Sequence, residues 1–222
     1  MDTNFWLKKW QDNQLGFHQQ KVNSRLQRFW ESMVTGHESV FVPLCGKSKD
    51  MVWLAQQGHP VLGIELSAIA CRDFFVEHGR SFEVIEKEAN GGPFARFKDD
   101  QIELLQGDFF ALTPEDLKDV RYIYDRASLV ALPGQMRAQF SEHLARITKP
   151  EDRMLLITME YDPSKMKGPP FSVSEEEVYR LFNGPFDIEI VSESSGPEIV
   201  GNLAERGLDT LTEKVYVLTR SE

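Results

Sequence analysis

The spacing of apolar positions changes near residue 37, and the first part of the chain has the period of a helix. Trp6 and Trp10 are four residues apart, and Leu26 and Met33 are seven apart, so each pair shares one face of a helix. Lys8, Lys9, Gln27 and Arg28 are among the polar residues between them. We therefore predict that residues 1–36 form a helical cover over the rest of the molecule.

Beyond this segment, short apolar runs rich in β-forming residues alternate with stretches of helical period. Ser48 and Ser67 precede two of these stretches as candidate N-caps, and Gly58 and Gly79 follow them. Residues 80–101 are only weakly patterned. The last two runs have no long helix between them. The predicted strands are 39–44, 60–66, 102–105, 120–124, 153–159, 186–191 and 214–219.

Alternation of strands and helices predicts an α/β fold of three layers, with helices on both faces of an open sheet. We expect a Rossmann-like sheet of seven strands that is mostly parallel, with an antiparallel strand at one edge. This arrangement resembles the fold of class I S-adenosylmethionine-dependent methyltransferases. No composition shift marks a boundary, so we predict one domain over residues 1–222.

The composition and charge of the chain disfavour several kinds of binding partner. The chain has 222 residues and a net charge of -10, whereas nucleic-acid binding requires a basic surface. The same charge disfavours docking on anionic membranes, and no stretch of 18 apolar residues is present. Cys45 and Cys71 form no zinc-like spacing, so we predict no metal site. Two cysteines and the lack of a signal-peptide pattern favour the cytoplasm.

The first turn of the predicted sheet, residues 43–47, lies where a nucleotide-binding βαβ unit holds its ligand. A pyrophosphate needs several glycines there, but only Gly46 is present and Pro43 lacks an N–H. S-adenosylmethionine carries an adenosine without phosphates, so it fits this turn by elimination. Glu65 ends the next strand about 20 residues later, where an acidic side chain accepts ribose hydroxyls. A capping or salt-bridging carboxylate is the alternative for Glu65.

Two further strand ends carry polar or aromatic candidates. Asp108 is placed to accept a hydrogen bond from an adenine amino group, and Phe109 is placed to pack against the adenine ring. The alternative is that Gly107 and Asp108 form a turn and the two phenylalanines pack in the core. Arg126 is placed to steer an anionic acceptor or the donor carboxylate, and it can also pair with Asp125. Cys45 has no evident partner histidine in the sequence, so we interpret it as a buried turn residue and not a nucleophile.

Several uncommon strings make the sequence resemble the thiopurine S-methyltransferase family, in its bacterial branch. The resemblance covers nearly the whole chain. The strings are W-x-x-x-W with GFH near the start, PLCGKSKDMVWLAQQGH, GIELS, GDFF, YDRASLVALP with MR, and YDPSKMKGPPF. It implies the methyltransferase fold, S-adenosylmethionine as methyl donor and S-adenosyl-L-homocysteine as product.

The resemblance also implies roles for individual residues. On the acceptor side, mammalian members use an arginine in the loop before the last strand. Here an ungapped count places Asn202 at that position, with Arg206 four residues away. The implied cofactor-binding residues are Trp10, Leu44, Glu65 and Arg126, with Asp108 and Phe109 on the adenine side. The implied substrate-binding residues are Phe17, Arg126 and Arg206.

The implied reaction is methyl transfer to the sulfur of a small aromatic or heterocyclic thiol, extending to selenium or tellurium species. Such a thiol is largely ionised near neutral pH, so no residue is assigned as a general base, and Arg126 acts by positioning. His18 can assist proton removal or be structural. The loop 163–170 acts as a lid or as a static surface loop. Trp10 and Phe17 cover the sulfonium by cation–π attraction or pack in the core.

Two other functions remain open. One is a nicotinamide-dinucleotide oxidoreductase on a similar sheet, and the other is a cofactor-binding module without catalysis. For the leading function we expect a small-molecule thiol as the partner, a monomeric protein, and no nucleic acid or membrane.

Overall fold

The computed structural model describes residues 3–12, 19 and 21–222, and this part of the chain is an α/β fold. The strands are β1 (Ser39–Val42), β2 (Val61–Glu65), β3 (Glu83–Ile85), β4 (Ala95–Lys98), β5 (Ile102–Gln106), β6 (Val120–Asp125), β7 (Arg153–Glu160), β8 (Phe186–Gly196) and β9 (Leu211–Arg220). The helices are α1 (Thr3–Gln11), α2 (Ser24–Met33), α3 (Lys49–Gln56), α4 (Ala68–Glu77), α5 (Lys87–Asn90), α6 (Gly134–Ile147) and α7 (Glu175–Phe182). Short 3₁₀ helices cover Phe109–Ala111, Pro114–Leu117, Leu129–Ala131, Pro197–Ile199 and Gly201–Arg206.

The chain divides into two compact units, Met1–Ile123 and Tyr124–Glu222. Strand β6 begins in the first unit and ends in the second. The prediction of one domain over residues 1–222 stays a prediction.

In the first unit, parallel pairing builds the centre of the sheet and antiparallel pairing extends it. β1 pairs in parallel with β2 and with β6, and β2 pairs in parallel with β5. β4 runs antiparallel to both β3 and β5. The predicted count of seven strands is therefore too low by two, because β3 and β4 lie in the weakly patterned stretch 80–101. The side chains of β4 are alternately buried and half-buried, as expected of a strand with one covered face.

In the second unit, β9 is the middle of three antiparallel strands. It pairs with β7 over Arg153↔Thr219 to Glu160↔Thr212 and with β8 over Phe186↔Arg220 to Gly196↔Leu211. The predicted antiparallel edge is confirmed. β8 alternates between exposed and half-buried positions over most of its length, so it is the less covered partner of β9.

Two helices occupy the N-terminal segment for which the sequence predicts a helical cover. In α2, Leu26, Trp30 and Met33 are buried along one face, and the Asn23 side chain caps the helix by accepting from the backbone N–H of Arg25. The indole Nε1 of Trp30 donates to His59 Nε2 at 3.0 Å. This buried bond ties α2 to the loop that leads into β2.

Candidate active site

The turn between β1 and α3 directs its backbone donors into the protein. The N–H of Cys45 donates to the Ile64 carbonyl at 3.0 Å, and the N–H of Gly46 donates to Glu65 Oε2 at 3.0 Å. Leu44 and Gly46 both have positive φ, 43° and 53°. A phosphate-binding turn presents such N–H groups to its ligand. This turn instead uses them to hold its own shape.

Glu65 links two turns at the end of β2. Its Oε2 accepts from Gly46, and its Oε1 accepts from the N–H of Ser67 at 2.8 Å, at the start of α4. The side chain is only 6% exposed. Burial raises its pKa from 4.5 to about 7, while the two N–H bonds act in the opposite direction. Each carboxylate oxygen keeps a further lone pair, which fits an acceptor for the two hydroxyls of a ribose.

Trp10 covers the same turn from α1. Its side chain is 5% exposed, and a methyl group placed on Gly46 would lie 3.3 Å from Cζ2 of the indole. The close approach of Trp10 to Gly46 explains why a residue without a side chain is suited to this position. The sequence analysis named both residues, and the structure brings them together.

Lys47 is the cation of this turn, and it is already paired. Its side chain is 7% exposed, and its Nζ lies 2.5 Å from Glu77 Oε1 at the end of α4. A lysine after a phosphate-binding turn would reach a ligand phosphate. Here its charge is balanced within the protein.

Asp108 lies at the same edge of the sheet as Glu65. The β2–β5 register pairs Glu65 with Gln106, and the N–H of Gly107 donates to the Glu65 carbonyl at 3.0 Å. Asp108 is exposed, and its Oδ1 accepts from the Phe110 N–H at 3.0 Å. Its other oxygen is therefore placed for an external donor such as an adenine amino group.

The two aromatic residues that follow Asp108 have different surroundings. Phe109 is 2% exposed and stacks on Phe41, with ring centroids 6.5 Å apart, so its ring is core packing. Phe110 is 36% exposed. An exposed aromatic ring two residues after Asp108 is a candidate that the sequence analysis missed, because nothing in the string GDFF distinguishes its two phenylalanines. A cofactor contact by Phe109 stays a prediction.

The two thiols are buried in surroundings that disfavour the thiolate form. Burial and the nearby Glu65 carboxyl raise the pKa of both Cys45 and Cys71. Cys45 also packs tightly, since a methyl group on Gly63 would lie 2.7 Å from its Sγ. The interpretation of Cys45 as a buried turn residue agrees with this geometry.

In the second unit, Asp125 shapes the loop that carries Arg126. Its Oδ1 accepts from the N–H groups of Ser128 at 3.1 Å and Leu129 at 3.4 Å, and burial raises its pKa from 3.8 to about 6. Arg126 is half-buried, and within the described residues it forms no side-chain hydrogen bond or ion pair. The Asp125–Arg126 pair that the sequence analysis weighed is therefore not formed.

Arg206 lies in the 3₁₀ helix Gly201–Arg206, together with Asn202. The Arg206 side chain is exposed, and its Nη1 donates to the Pro169 carbonyl at 2.8 Å. The segment before β9 thus contacts the loop 163–170. Phe17 and His18 lie outside the described residues, so their predicted roles stay predictions.

In residues 3–12, 19 and 21–222, no group of three His, Cys, Asp or Glu side chains could hold a metal ion. No described helix is both long and apolar enough to cross a membrane.

Several solved structures similar to this chain are methyltransferases. The magnesium protoporphyrin IX methyltransferase of Synechocystis, solved with bound SAH (S-adenosylhomocysteine), matches with a TM-score of 0.65 and 13% identity, covering 99% of this chain and 100% of that one. A SAM-dependent methyltransferase of Anabaena variabilis matches with a TM-score of 0.63 and 16% identity, covering 98% and 94%. At such low identity these matches establish the fold.

Sequence relatives are much more similar. A protein named thiopurine S-methyltransferase from Methylococcus capsulatus is 48% identical over 219 residues, covering 98% of this chain and 97% of its own. Another of that name from Marinobacter nauticus is 42% identical over 222 residues, covering 99% and 100%. The family model described as Thiopurine S-methyltransferase (TPMT) matches residues 1–221. The chain therefore belongs to the thiopurine S-methyltransferase family.

Proposed function

We propose that this protein transfers the methyl group of S-adenosylmethionine to the sulfur of a small aromatic or heterocyclic thiol. One structural observation carries the proposal beyond family membership: Glu65 accepts the Gly46 N–H. The first turn then presents an acidic ribose acceptor in place of a phosphate cradle. An adenosine cofactor without phosphates suits this arrangement.

The alternative of a nicotinamide-dinucleotide oxidoreductase lacks support. A dinucleotide brings a pyrophosphate, which needs free N–H groups and often a cation. Here the Gly46 N–H is bonded to Glu65, and Lys47 is paired with Glu77. The family to which the chain belongs is also one of methyltransferases.

Residues of the first unit are proposed to hold the cofactor. Glu65 accepts the ribose hydroxyls, the backbone beside Leu44 holds the amino-acid tail, and Asp108 accepts from the adenine amino group. Trp10, which already lies against Gly46, offers an aromatic face to a cationic sulfur. When bound, S-adenosylmethionine supplies a methyl group that is already activated on its sulfonium.

The protein's part in catalysis is proposed to be positioning. An aromatic thiol is largely thiolate near neutral pH, so the reaction needs neither a metal nor a covalent intermediate with the protein. Alignment of donor and acceptor is worth roughly 7–11 kcal/mol of barrier reduction in well-oriented reactions. Arg126, which has no partner in the described chain, is proposed to orient an anionic acceptor or the donor carboxylate. Phe17 and Arg206 are the other proposed acceptor contacts.

We further propose that the chain works as one domain and as a monomer in the cytoplasm, with no nucleic-acid partner. Its net charge of -10 supports the last point, since a nucleic-acid surface is basic. Its two free, buried cysteines fit a reducing compartment.

The direct test is incubation with labelled methyl donor and a panel of thiols, selenite and tellurite, with products identified by mass spectrometry. We expect methylation of aromatic and heterocyclic thiols. Calorimetry with S-adenosylhomocysteine and with NAD(H) runs in parallel. Binding of S-adenosylhomocysteine without any methylated product would favour the non-catalytic binding module, and binding of NAD(H) would favour the oxidoreductase.

Arg126→Ala assigns the role of that residue. If Arg126 orients the acceptor, KM for the thiol rises while the Kd for S-adenosylhomocysteine stays constant. If it holds the donor carboxylate, the Kd rises instead. An unchanged KM and Kd would exclude both roles.

A further inference from the structure

Each of the four consecutive residues 169–172 forms a hydrogen bond through one of its own backbone atoms. We call this segment the strap. The partners come from four different parts of the second unit. The bonds are Arg206 Nη1 to the Pro169 carbonyl (2.8 Å), Tyr161 Oη to the Pro170 carbonyl (2.6 Å), the Phe171 N–H to the Val130 carbonyl (2.6 Å), and Arg137 Nη1 to the Ser172 carbonyl (3.0 Å). Three of the four partners are more than 30 residues away in sequence. Tertiary structure, not local turn chemistry, therefore holds the strap.

Ser172 and Tyr161 close the loop at its base. The Ser172 hydroxyl accepts from the Tyr161 N–H at 2.9 Å and donates to the Tyr161 carbonyl at 2.8 Å. The Tyr161 hydroxyl donates to the Pro170 carbonyl, and burial raises the pKa of this tyrosine above its ordinary value. The two residues thus form three hydrogen bonds that keep the ends of the loop together.

Arg137 is a buried cation whose charge is paired inside the protein. It lies in α6, is 8% exposed, and pairs through Nε with Glu177 Oε1 at 3.2 Å. The Ser174 side chain caps α7 by accepting from the Glu177 N–H. The Glu177 carboxylate forms ion pairs with both Arg137 and Arg180. The Arg137–Glu177 pair therefore joins two helices to the strap.

The strap is bonded to one of the two arginines of the proposed acceptor side and to the chain segment that follows the other. Arg206 binds it directly at Pro169. Two residues further on, Phe171 binds Val130, which follows Arg126 by four residues in a loop that Asp125 fixes. The strap therefore connects Arg206 with the 3₁₀ helix Leu129–Ala131, which follows Arg126 in the chain.

We propose that Tyr161, Ser172 and Arg137 are positioning residues for methyl transfer: they hold the strap as a fixed spacer, so that the loop 163–170 is a rigid wall of the acceptor side and not a moving lid. This inference rests on the proposed function. It predicts that loosening the strap weakens binding of the thiol and leaves binding of the methyl donor intact.

The test uses the full chain and small changes at the strap. Tyr161→Phe removes one hydroxyl, and Ser172→Ala removes another. Ser172→Thr keeps the hydroxyl and serves as the conservative variant. Tyr179→Phe is the matched control, because Tyr179 is 38% exposed on α7 and its hydroxyl binds no strap residue. Each variant is measured for KM and kcat with an aromatic thiol, for Kd of S-adenosylhomocysteine, and for hydrogen exchange of the Phe171 amide.

We expect Tyr161→Phe to raise KM for the thiol about two- to tenfold, the range of one lost hydrogen bond, and Ser172→Ala to raise it at least as much, because its hydroxyl makes two hydrogen bonds. The Phe171 amide should exchange faster, while Kd for S-adenosylhomocysteine stays within about twofold. Ser172→Thr should restore both KM and slow exchange, and Tyr179→Phe should match the wild type.

Faster exchange at Phe171 with an unchanged KM would reduce the strap to a structural element and overturn the proposal. So would a parallel rise of KM and Kd, which would indicate general damage, or rapid Phe171 exchange in the wild type, which would indicate a lid. Failure of the wild type to bind S-adenosylhomocysteine at all would instead contradict the proposed function, and the exchange data would still report on the strap.

Discussion

The first turn and the strap are both irregular backbone segments, but they are held in opposite ways. In the first unit, the single carboxylate of Glu65 accepts from Gly46 and from Ser67, so one side chain joins two turns. In the second unit, the strap has four partners: Tyr161 makes three hydrogen bonds to it, and the other three partners make one each. A substitution of Glu65 therefore removes both bonds of the first arrangement at once. A substitution of one strap partner leaves the bonds of the other partners in place.

The largest effect is expected from Glu65→Ala. Removal of the carboxylate leaves two backbone N–H groups without acceptors, at about 1–3 kcal/mol each, and removes the proposed ribose acceptor. The Kd for S-adenosylhomocysteine should rise roughly tenfold or more, as measured by calorimetry, and the free energy of unfolding should fall. An unchanged Kd would refute the cofactor role of Glu65.

A second prediction uses the titration of Glu65. Its pKa is 4.5 in the unfolded chain and about 7 in the fold. Between these values the folded protein keeps a proton that the unfolded chain has released, so this group's contribution to stability falls as pH rises and is constant above pH 7. The expected fall is about 3 kcal/mol. The burial of Asp125, whose pKa is raised to about 6, acts in the same direction at lower pH.

Glu65→Gln isolates this effect, because glutamine keeps the shape but does not titrate. We expect the stability of the ligand-free wild type, relative to Glu65→Gln, to decrease between pH 5 and pH 8 in denaturant unfolding. If the difference between the two proteins is independent of pH, the carboxyl does not carry a raised pKa.

A smaller effect is expected from Gly46→Ala. The positive φ of Gly46 costs an alanine roughly 1–2 kcal/mol, and the added methyl group would lie 3.3 Å from Trp10. Gly79→Ala is the control, since Gly79 also has a positive φ, 63°, but a methyl group there would contact nothing within 4 Å. Both variants should lose stability, and only Gly46→Ala should also weaken binding of S-adenosylhomocysteine. Equal Kd values would show that the contact between Trp10 and Gly46 does not matter for the cofactor.

Much of the fold could be predicted because the strands of the parallel centre are apolar on both sides. β1 and β2 are continuous apolar runs, and their pattern reports burial directly. β3 and β4 were missed because Glu83–Ile85 is too short to show a period and the β4 sequence ARFK carries two cations. Antiparallel pairing defines them as strands, and pairing cannot be read from a segment by itself.

Short sequence patterns indicated where an element begins or which residue belongs to a site, but not how long the element is or what the residue contacts. Thr113 and Pro114 have the sequence pattern of a helix start, and Asp116 completes a capping box with Thr113, but the helix ends after Leu117 as a 3₁₀ turn. Similarly, the spacing identified Glu65 but gave no sign that it binds Gly46 and Ser67. The contacts of the strap join residues that are up to 41 positions apart, Val130 and Phe171, and no sequence period contains them.

The smallest effect on stability is expected from Arg206→Gln. Arg206 is exposed and is one of the four partners of the strap, and surface substitutions of this kind usually change the free energy of unfolding by less than about 0.5 kcal/mol. Because the other three partners remain, the Phe171 amide should keep its slow exchange. Any rise in KM for the thiol then reports an acceptor contact by the guanidinium itself. If KM is unchanged in Arg206→Gln but rises in Tyr161→Phe, the strap acts through Arg126 alone, and Arg206 is only one of its anchors.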